Sequence, residues 1–288
     1  MLRISSSIRL LGRAFFMVAV LASAGALTQA QELRTVAPHR HAPASLHRMR
    51  DDGTADSYNW SGYVVTGTTG SVTSVSGSWT IPASTCSRGS AAEYASFWVG
   101  IDGWSSATVE QIGTDSDCSN GTPSYYAWYE FYPENAYYAG NLRNLKPGDN
   151  MTATVSYNAA TGDFTAKITD TTEAMTFTVT YVPTRRTGTP RRSSAEWITE
   201  APCCSQNGAP LPLADFGTVS YIDDVATVNS HSGPIAYFLG SYTLAASPTV
   251  YICTMLSEKT GQIMALPSSF DDPNSGYDFH VTWENVGP

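Results

Sequence analysis

Histidine and lysine are scarce in this chain, and histidine is distributed unevenly. Beyond His47 only His231 and His280 remain, and lysine occurs at Lys146, Lys167 and Lys259 alone. A serine or cysteine nucleophile activated by histidine therefore has few candidate bases. The sequence has no His-Glu-x-x-His pair for zinc, no Gly-x-Ser-x-Gly elbow and no Asp-Thr/Ser-Gly triplet, which removes the commonest hydrolase signatures. No histidine stands at ligand spacing from a cysteine, so no metal or cofactor is expected. The body is acidic with few lysines, which argues against nucleic acid as a partner.

The longest apolar run is short and lies at the start. Arg3, Arg9 and Arg13 precede apolar residues from Ala14 to Val20 and on to Leu27, ending in Thr28-Gln29-Ala30. This pattern predicts an export signal over 1–30, cleaved near Ala30, and an extracellular protein with no stable membrane association afterwards. An uncleaved anchor is the alternative. Residues 31–56 mix Arg34, Arg40, Arg48, Arg50, His39, His41 and His47 with Pro and Ala, without strand or helix periodicity. They read as a basic leader or propeptide. Residues 1–50 hold seven Arg and one Glu, which leaves nine basic and twenty-four acidic groups beyond them, a net −15 against −9 for the whole. Such a split predicts that the leader docks on the acidic body, inhibits it, and lets go near pH 4 as carboxylates protonate.

Residues 57–288 are enough for one large domain, expected as a monomer. Met151, Ala153, Val155 and Tyr157 alternate with polar residues, a Thr161-Gly162-Asp163 turn follows, and the alternation resumes at Phe164, Ala166 and Ile168 and again at Met175, Phe177, Val179 and Tyr181. That spacing predicts an antiparallel meander. Strand-forming residues with Gly and Pro punctuation run from Tyr58 to Trp283 and no capped amphipathic helix occurs, so two packed sheets are expected. Five cysteines in an exported chain predict disulfides with one thiol left over. Cys86 with Cys118 is the favoured pair, and Cys253 is assigned to Cys203 or Cys204. The basic segment 183–192 is expected to be a solvated, mobile loop and a possible processing site. Asn59, Asn120 and Asn150 each begin a glycosylation sequon.

Six blocks then stand in order: Tyr58-Asn59-Trp60-Ser61-Gly62-Tyr63, Gly77-Ser78-Trp79-Thr80-Ile81-Pro82, Phe97-Trp98-Val99-Gly100-Ile101-Asp102-Gly103, Glu110-Gln111-Ile112-Gly113-Thr114-Asp115, Ala127-Trp128-Tyr129-Glu130-Phe131-Tyr132-Pro133 and Ala195-Glu196-Trp197-Ile198-Thr199-Glu200. Together they resemble the glutamic peptidases (eqolisins) over about Tyr58 to Trp283. The resemblance implies an all-β, two-sheet antiparallel sandwich, a lectin-like (concanavalin-type) jelly roll with its site on a concave face, and an acid endopeptidase acting on polypeptides. It implies a dyad of Gln111 and Glu196, with Trp98, Asp115, Trp128 and Glu130 in support. Tyr126 departs from the family pattern, where an acidic residue is expected in some relatives.

The residue types suit that chemistry. A carboxylate can take a proton from water and return it to a departing amine, while a neutral amide donates to an oxyanion at any pH. Glu196 and Glu200 share a strand face by alternation, so parity alone does not choose between them. The same face lined by Trp, Tyr and two carboxylates would also suit a glycoside hydrolase using Glu130 and Glu196, or a sugar-binding module without catalysis.

Overall fold

The computed structural model describes residues 35–87, 92–184, 187–203, 209–239, 249–272 and 276–287. The export signal at 1–30 lies outside them. In chain order the strands are β1 (Leu46–Met49), β2 (Thr54–Ser57), β3 (Trp60–Thr66), β4 (Val72–Thr80), β5 (Glu93–Ile101), β6 (Val109–Ser119), β7 (Thr122–Tyr132), β8 (Tyr137–Tyr138) and β9 (Asn150–Asn158). There follow β10 (Asp163–Asp170), β11 (Met175–Tyr181), β12 (Ser194–Glu200), β13 (Thr218–Val228), β14 (His231–Pro234), β15 (Thr249–Leu256), β16 (Ile263–Pro267) and β17 (Phe279–Trp283). Among the described residues no helix is long and apolar enough to cross a membrane.

The strands make two layers. One runs β8-β7-β6-β5-β12-β3-β15 and ends in β2 and β1. The other runs β11-β10-β9-β4-β13, with β14 and β17 beside β13. β16 bridges β15 and β17, so hydrogen bonding is continuous between the layers. Every pairing is antiparallel except β2 on β15. The expected meander is present in register, with Ala166 opposite Val155 and Val179.

The alternation decides what lies between the layers. Phe97, Val99 and Ile112 from one sheet meet Phe164, Ile168 and Tyr221 from the other in a buried core. Each such side chain withdrawn from water stabilises the fold by about 1.5–3 kcal/mol. Three polar tips tie the sheets together. Trp79 Nε1 donates to Thr114 Oγ1 at 2.9 Å, Trp197 Nε1 to the Ser76 carbonyl at 2.8 Å, and the Tyr221 hydroxyl to the Ile198 carbonyl at 2.6 Å. Gly77 gives Trp197 its room: a Cβ there would stand 2.8 Å from the indole Cδ1.

Several expectations need correction. The leader is not free of strands: Leu46–Met49 pairs with Thr54–Ser57, which adds to β15 in parallel. A period-two pattern fails there because both strands are only four residues long and sit at the sheet edge. Cys86 and Cys118 are bonded as expected. Cys253 is not paired with Cys203 or Cys204; it is a free, fully buried thiol donating to the Trp60 carbonyl at 3.4 Å. Cys203 is itself disulfide-bonded, and Cys204 lies outside the described residues. The end of the 183–192 loop is anchored rather than loose, since the backbone N–H groups of Arg192 and Ser193 donate to Asp102 at 2.6 and 3.0 Å and the Arg192 guanidinium lies 3.8 Å over the Tyr157 ring. Arg185 and Arg186 lie outside the described residues. Asn59 is buried, with its Oδ1 accepting from Ser45 N, so that sequon is closed in this fold, whereas Asn120 and Asn150 are exposed.

Burial pushes the Cys253 thiol well above its ordinary pKa, with Asp56 adding to the shift, and the thiolate is the reactive form. Iodoacetamide should leave Cys253 unmodified in the native protein and label it only after unfolding, as peptide mass spectrometry would show; rapid native labelling would contradict the burial.

Candidate active site

The outer face of the first sheet is built by four neighbouring strands that read across in rows. Gln111 on β6 faces Gly100 on β5, which faces Glu196 on β12. Glu130 on β7 continues the row beyond Gln111. Directly opposed residues point to the same side of a sheet, so Glu130, Gln111 and Glu196 share one face, with Gln111 and Glu196 two strand spacings apart, roughly 10 Å. Gly100 keeps the interval open. A Cβ there would come within 2.9 Å of the Trp98 ring and 3.2 Å of Gln111 Cβ. A second row holds Tyr126, Asp115, Ser96 and Glu200. Between the rows lie Trp128, Trp98 and Ile198.

All seven side chains singled out in the sequence therefore meet on this face, and all are fully buried. Glu200 accepts from Trp98 Nε1 at 2.8 Å. Burial raises its pKa well above the ordinary range; Glu130 and Asp115 push in the same direction, and His41 and Trp98 oppose them. Glu196 is raised well above that range as well, first by burial and then by the charges of Asp102 and Glu110. Neither oxygen of Glu196 has a hydrogen-bond partner, and Gln111 Oε1 has none either.

The residue that the sequence did not single out is His41. It is completely buried on the acidic face. Its ring stacks on Trp128 with centroids 3.4 Å apart and planes 1° from parallel. Its Nε2 lies 3.2 Å from Asp115 Oδ1 and its Nδ1 3.5 Å from Glu130 Oε2. Its backbone N–H donates to Glu130 Oε2 at 2.7 Å, and its carbonyl accepts from Gln111 Nε2 at 2.6 Å. Burial alone would lower the imidazole pKa, but Asp115 and Glu130 override it and raise the value to about 10. Reciprocally, Asp115 is held below its ordinary value despite burial, because His41 favours its ionised form.

Neighbouring leader residues extend the contact. His39 Nε2 lies 3.1 Å from Asp117 Oδ2 and Arg40 Nε 3.6 Å from Glu130 Oε1. Ala37 joins the apolar cluster formed with Trp60, Trp98 and Trp128. Tyr126, the departure from the family pattern, places its hydroxyl 2.9 Å from both Asp115 Oδ2 and Asp117 Oδ2. A phenol here shares its single O–H between two carboxylates where a third acid would repel them. Asp117 and Tyr126 were legible only as flanks of their blocks. His41 carried one signal, its place in a basic leader facing an acidic body.

Comparison with known proteins bears on the whole face. The family model for the Peptidase A4 family matches residues 58–260. Aspergillopepsin-2 from Aspergillus niger is 33% identical over 190 residues, which are 59% of this chain and 64% of that protein, so the match spans a little under two thirds of the relative's length. The fold is similar to scytalido-glutamic peptidase, solved with a transition state analog inhibitor, at TM-score 0.62 and 24% identity over 79% of this chain and 98% of that one. It is similar also to aspergilloglutamic peptidase from Aspergillus niger, at TM-score 0.52 and 27% identity over 67% and 99% of the two chains. On the match over 58–260, the chain belongs to the Peptidase A4 family, the glutamic peptidases or eqolisins.

Proposed function

We propose that the protein is an exported, acid-acting endopeptidase in which Glu196 moves the proton of the attacking water and Gln111 stabilises the oxyanion. One observation carries the reading: Gln111 Nε2 already donates, at 2.6 Å, to a peptide carbonyl, that of His41, on the face it shares with Glu196. An oxyanion donor must stand where a scissile carbonyl arrives. Water oxygen adds to the carbonyl carbon while its proton passes to Glu196; the C–N bond then breaks and the same proton goes to the departing amine. Family membership and the disulfide Cys86–Cys118 support a hydrolase that works outside the cell.

The leader acts as the inhibitor in this reading. It occupies the donor of Gln111, while Glu196, fully buried, has its pKa raised well above the ordinary carboxylate range by that burial and by Asp102 and Glu110. The pH at which it yields follows from the shifts. The pKa of His41 is raised to about 10 from 6.5, so its contribution is full below pH 6.5 and is lost as pH rises through about 10. The pKa of Asp115 is lowered from 3.8, so its contribution is full above that value and is lost only as pH falls through the depressed one. At pH 4 the pair holds. Glu130 and Asp117, both raised by burial, protonate first and loosen Arg40 and His39. Acidification to pH 4 alone therefore weakens the leader without freeing His41.

Two expectations follow. Full-length protein assayed on denatured globin at pH 4, with its leader attached, should gain roughly tenfold or more when His41→Leu removes a desolvated charge pair; equal activity would sink the inhibitory role. In the processed protein, Glu196→Gln should lower turnover by ~10²–10⁴-fold and Gln111→Ala by ~10²–10³-fold, less than additively when combined, with folding intact by circular dichroism. If Glu200→Gln abolishes activity while Glu196→Gln does not, the general base is Glu200.

A further inference from the structure

We propose that the cleft selects peptides carrying histidine at the residue whose carbonyl meets Gln111, so that the bond cut is the one following histidine. This deepens the peptidase reading and rests on it. His41 shows how such a residue would be held. Its two backbone contacts, N–H to Glu130 and carbonyl from Gln111, would hold any residue. The ring contacts discriminate. Trp128 offers a flat face, on which the imidazole lies at 3.4 Å, and Asp115 stands at the ring edge, 3.2 Å from Nε2.

Each competing side chain fails one of these tests. Phenylalanine can stack on Trp128, but its hydrocarbon edge would deprive Asp115 Oδ1 of the imidazole donor and the buried carboxylate of its facing cation, which is costly. Leucine offers neither the flat face nor the donor. Lysine brings charge without a plane. Arginine brings both but reaches further than the short distance His41 spans between Trp128 and Asp115. Imidazolium is flat, compact and a donor, and it is the charged form in acid. The far side of the histidine is supported as well. The Ala42 carbonyl accepts from Trp60 Nε1 at 3.1 Å, and Ala44 N donates to the Gly103 carbonyl at 3.1 Å, so a chain is held on both sides of the bond between residues 41 and 42. The tyrosine at 126 fixes the reader, since its hydroxyl engages the other oxygen of Asp115. On this proposal the leader inhibits as a substrate look-alike.

The reaction stays a hydrolysis: water adds to the histidine carbonyl carbon, the bond to the next nitrogen breaks, and the products are a C-terminal histidine carboxyl and a new amine. The test uses full-length protein that has been processed until it degrades globin at pH 4. Four decapeptides differing only at one position, His, Phe, Leu or Arg in an alanine and serine background, are assayed for kcat/KM and for the bond cut. The histidine peptide should be cut after histidine at least about tenfold faster than each of the others. Leader peptides spanning 36–46 should inhibit globin digestion with a Ki at least about tenfold lower than their His41→Phe counterparts. Asp115→Asn should bring the His-to-Phe ratio toward one, a change in specificity that general loss of stability would not produce. Equal rates, cutting at another bond, or a ratio unmoved by Asp115→Asn would each overturn the proposal while globin is still degraded. Failure of every preparation to degrade globin would instead remove the peptidase reading, and the proposal with it.

Discussion

Four carboxylates, Asp115, Glu130, Glu196 and Glu200, are fully buried on one face of one sheet, and the arrangement of the molecule follows from how their charge is managed. Taking an ion out of water costs several kcal/mol even after relaxation. The fold answers in two ways. Glu196 and Glu200 are pushed toward the neutral form. Asp115 is kept ionised by the imidazole of His41. Residues 39–41 thus bring three basic side chains to this acidic face, His39 to Asp117, Arg40 to Glu130 and His41 to Asp115.

The same face explains the aromatic content of the blocks. Trp98 and Trp128 are wide enough to exclude water from the carboxylates, and Trp98 also spends its N–H on Glu200. Gly100, between Gln111 and Glu196, and Gly113, between Trp98 and Trp128, are glycines because the Trp98 side chain and the neighbouring strand fill the space a Cβ would need. A Cβ at 113 would collide with the Phe97 carbonyl and the Trp98 backbone.

Much of this was legible in the sequence because it depends on local rules. Period-two alternation gave the meander of β9 to β11 in register, and the placing of both cysteines around one block of strands pointed to Cys86 with Cys118, although Cys118 lies in β6 rather than in a loop. The face-sharing of Glu196 with Glu200 follows from strand parity, and their meeting with Gln111 follows from the order of the blocks. Other features depend on which distant surfaces meet, and no periodicity encodes that. The docking of His41 is set by a carboxylate, an amide and an indole some seventy to ninety residues away. The edge strands of the leader owe their form to β15, two hundred residues downstream. Cys253 was assigned by counting cysteines, and counting cannot see that its neighbours are the apolar floor beneath Trp60.

The parallel pairing of β2 with β15 has a thermodynamic consequence for the plug. It fastens the chain about a dozen residues from His41, so the imidazole meets its pocket as part of the same molecule, at an effective concentration in the millimolar range for a short tether. A weak individual contact is enough to keep the pocket filled under those conditions. Were the chain cut between His41 and β2, the segment would become an ordinary solute that has to find the pocket by diffusion. Residues from Thr54 onward would in that case remain as a strand of the sheet, paired with β15.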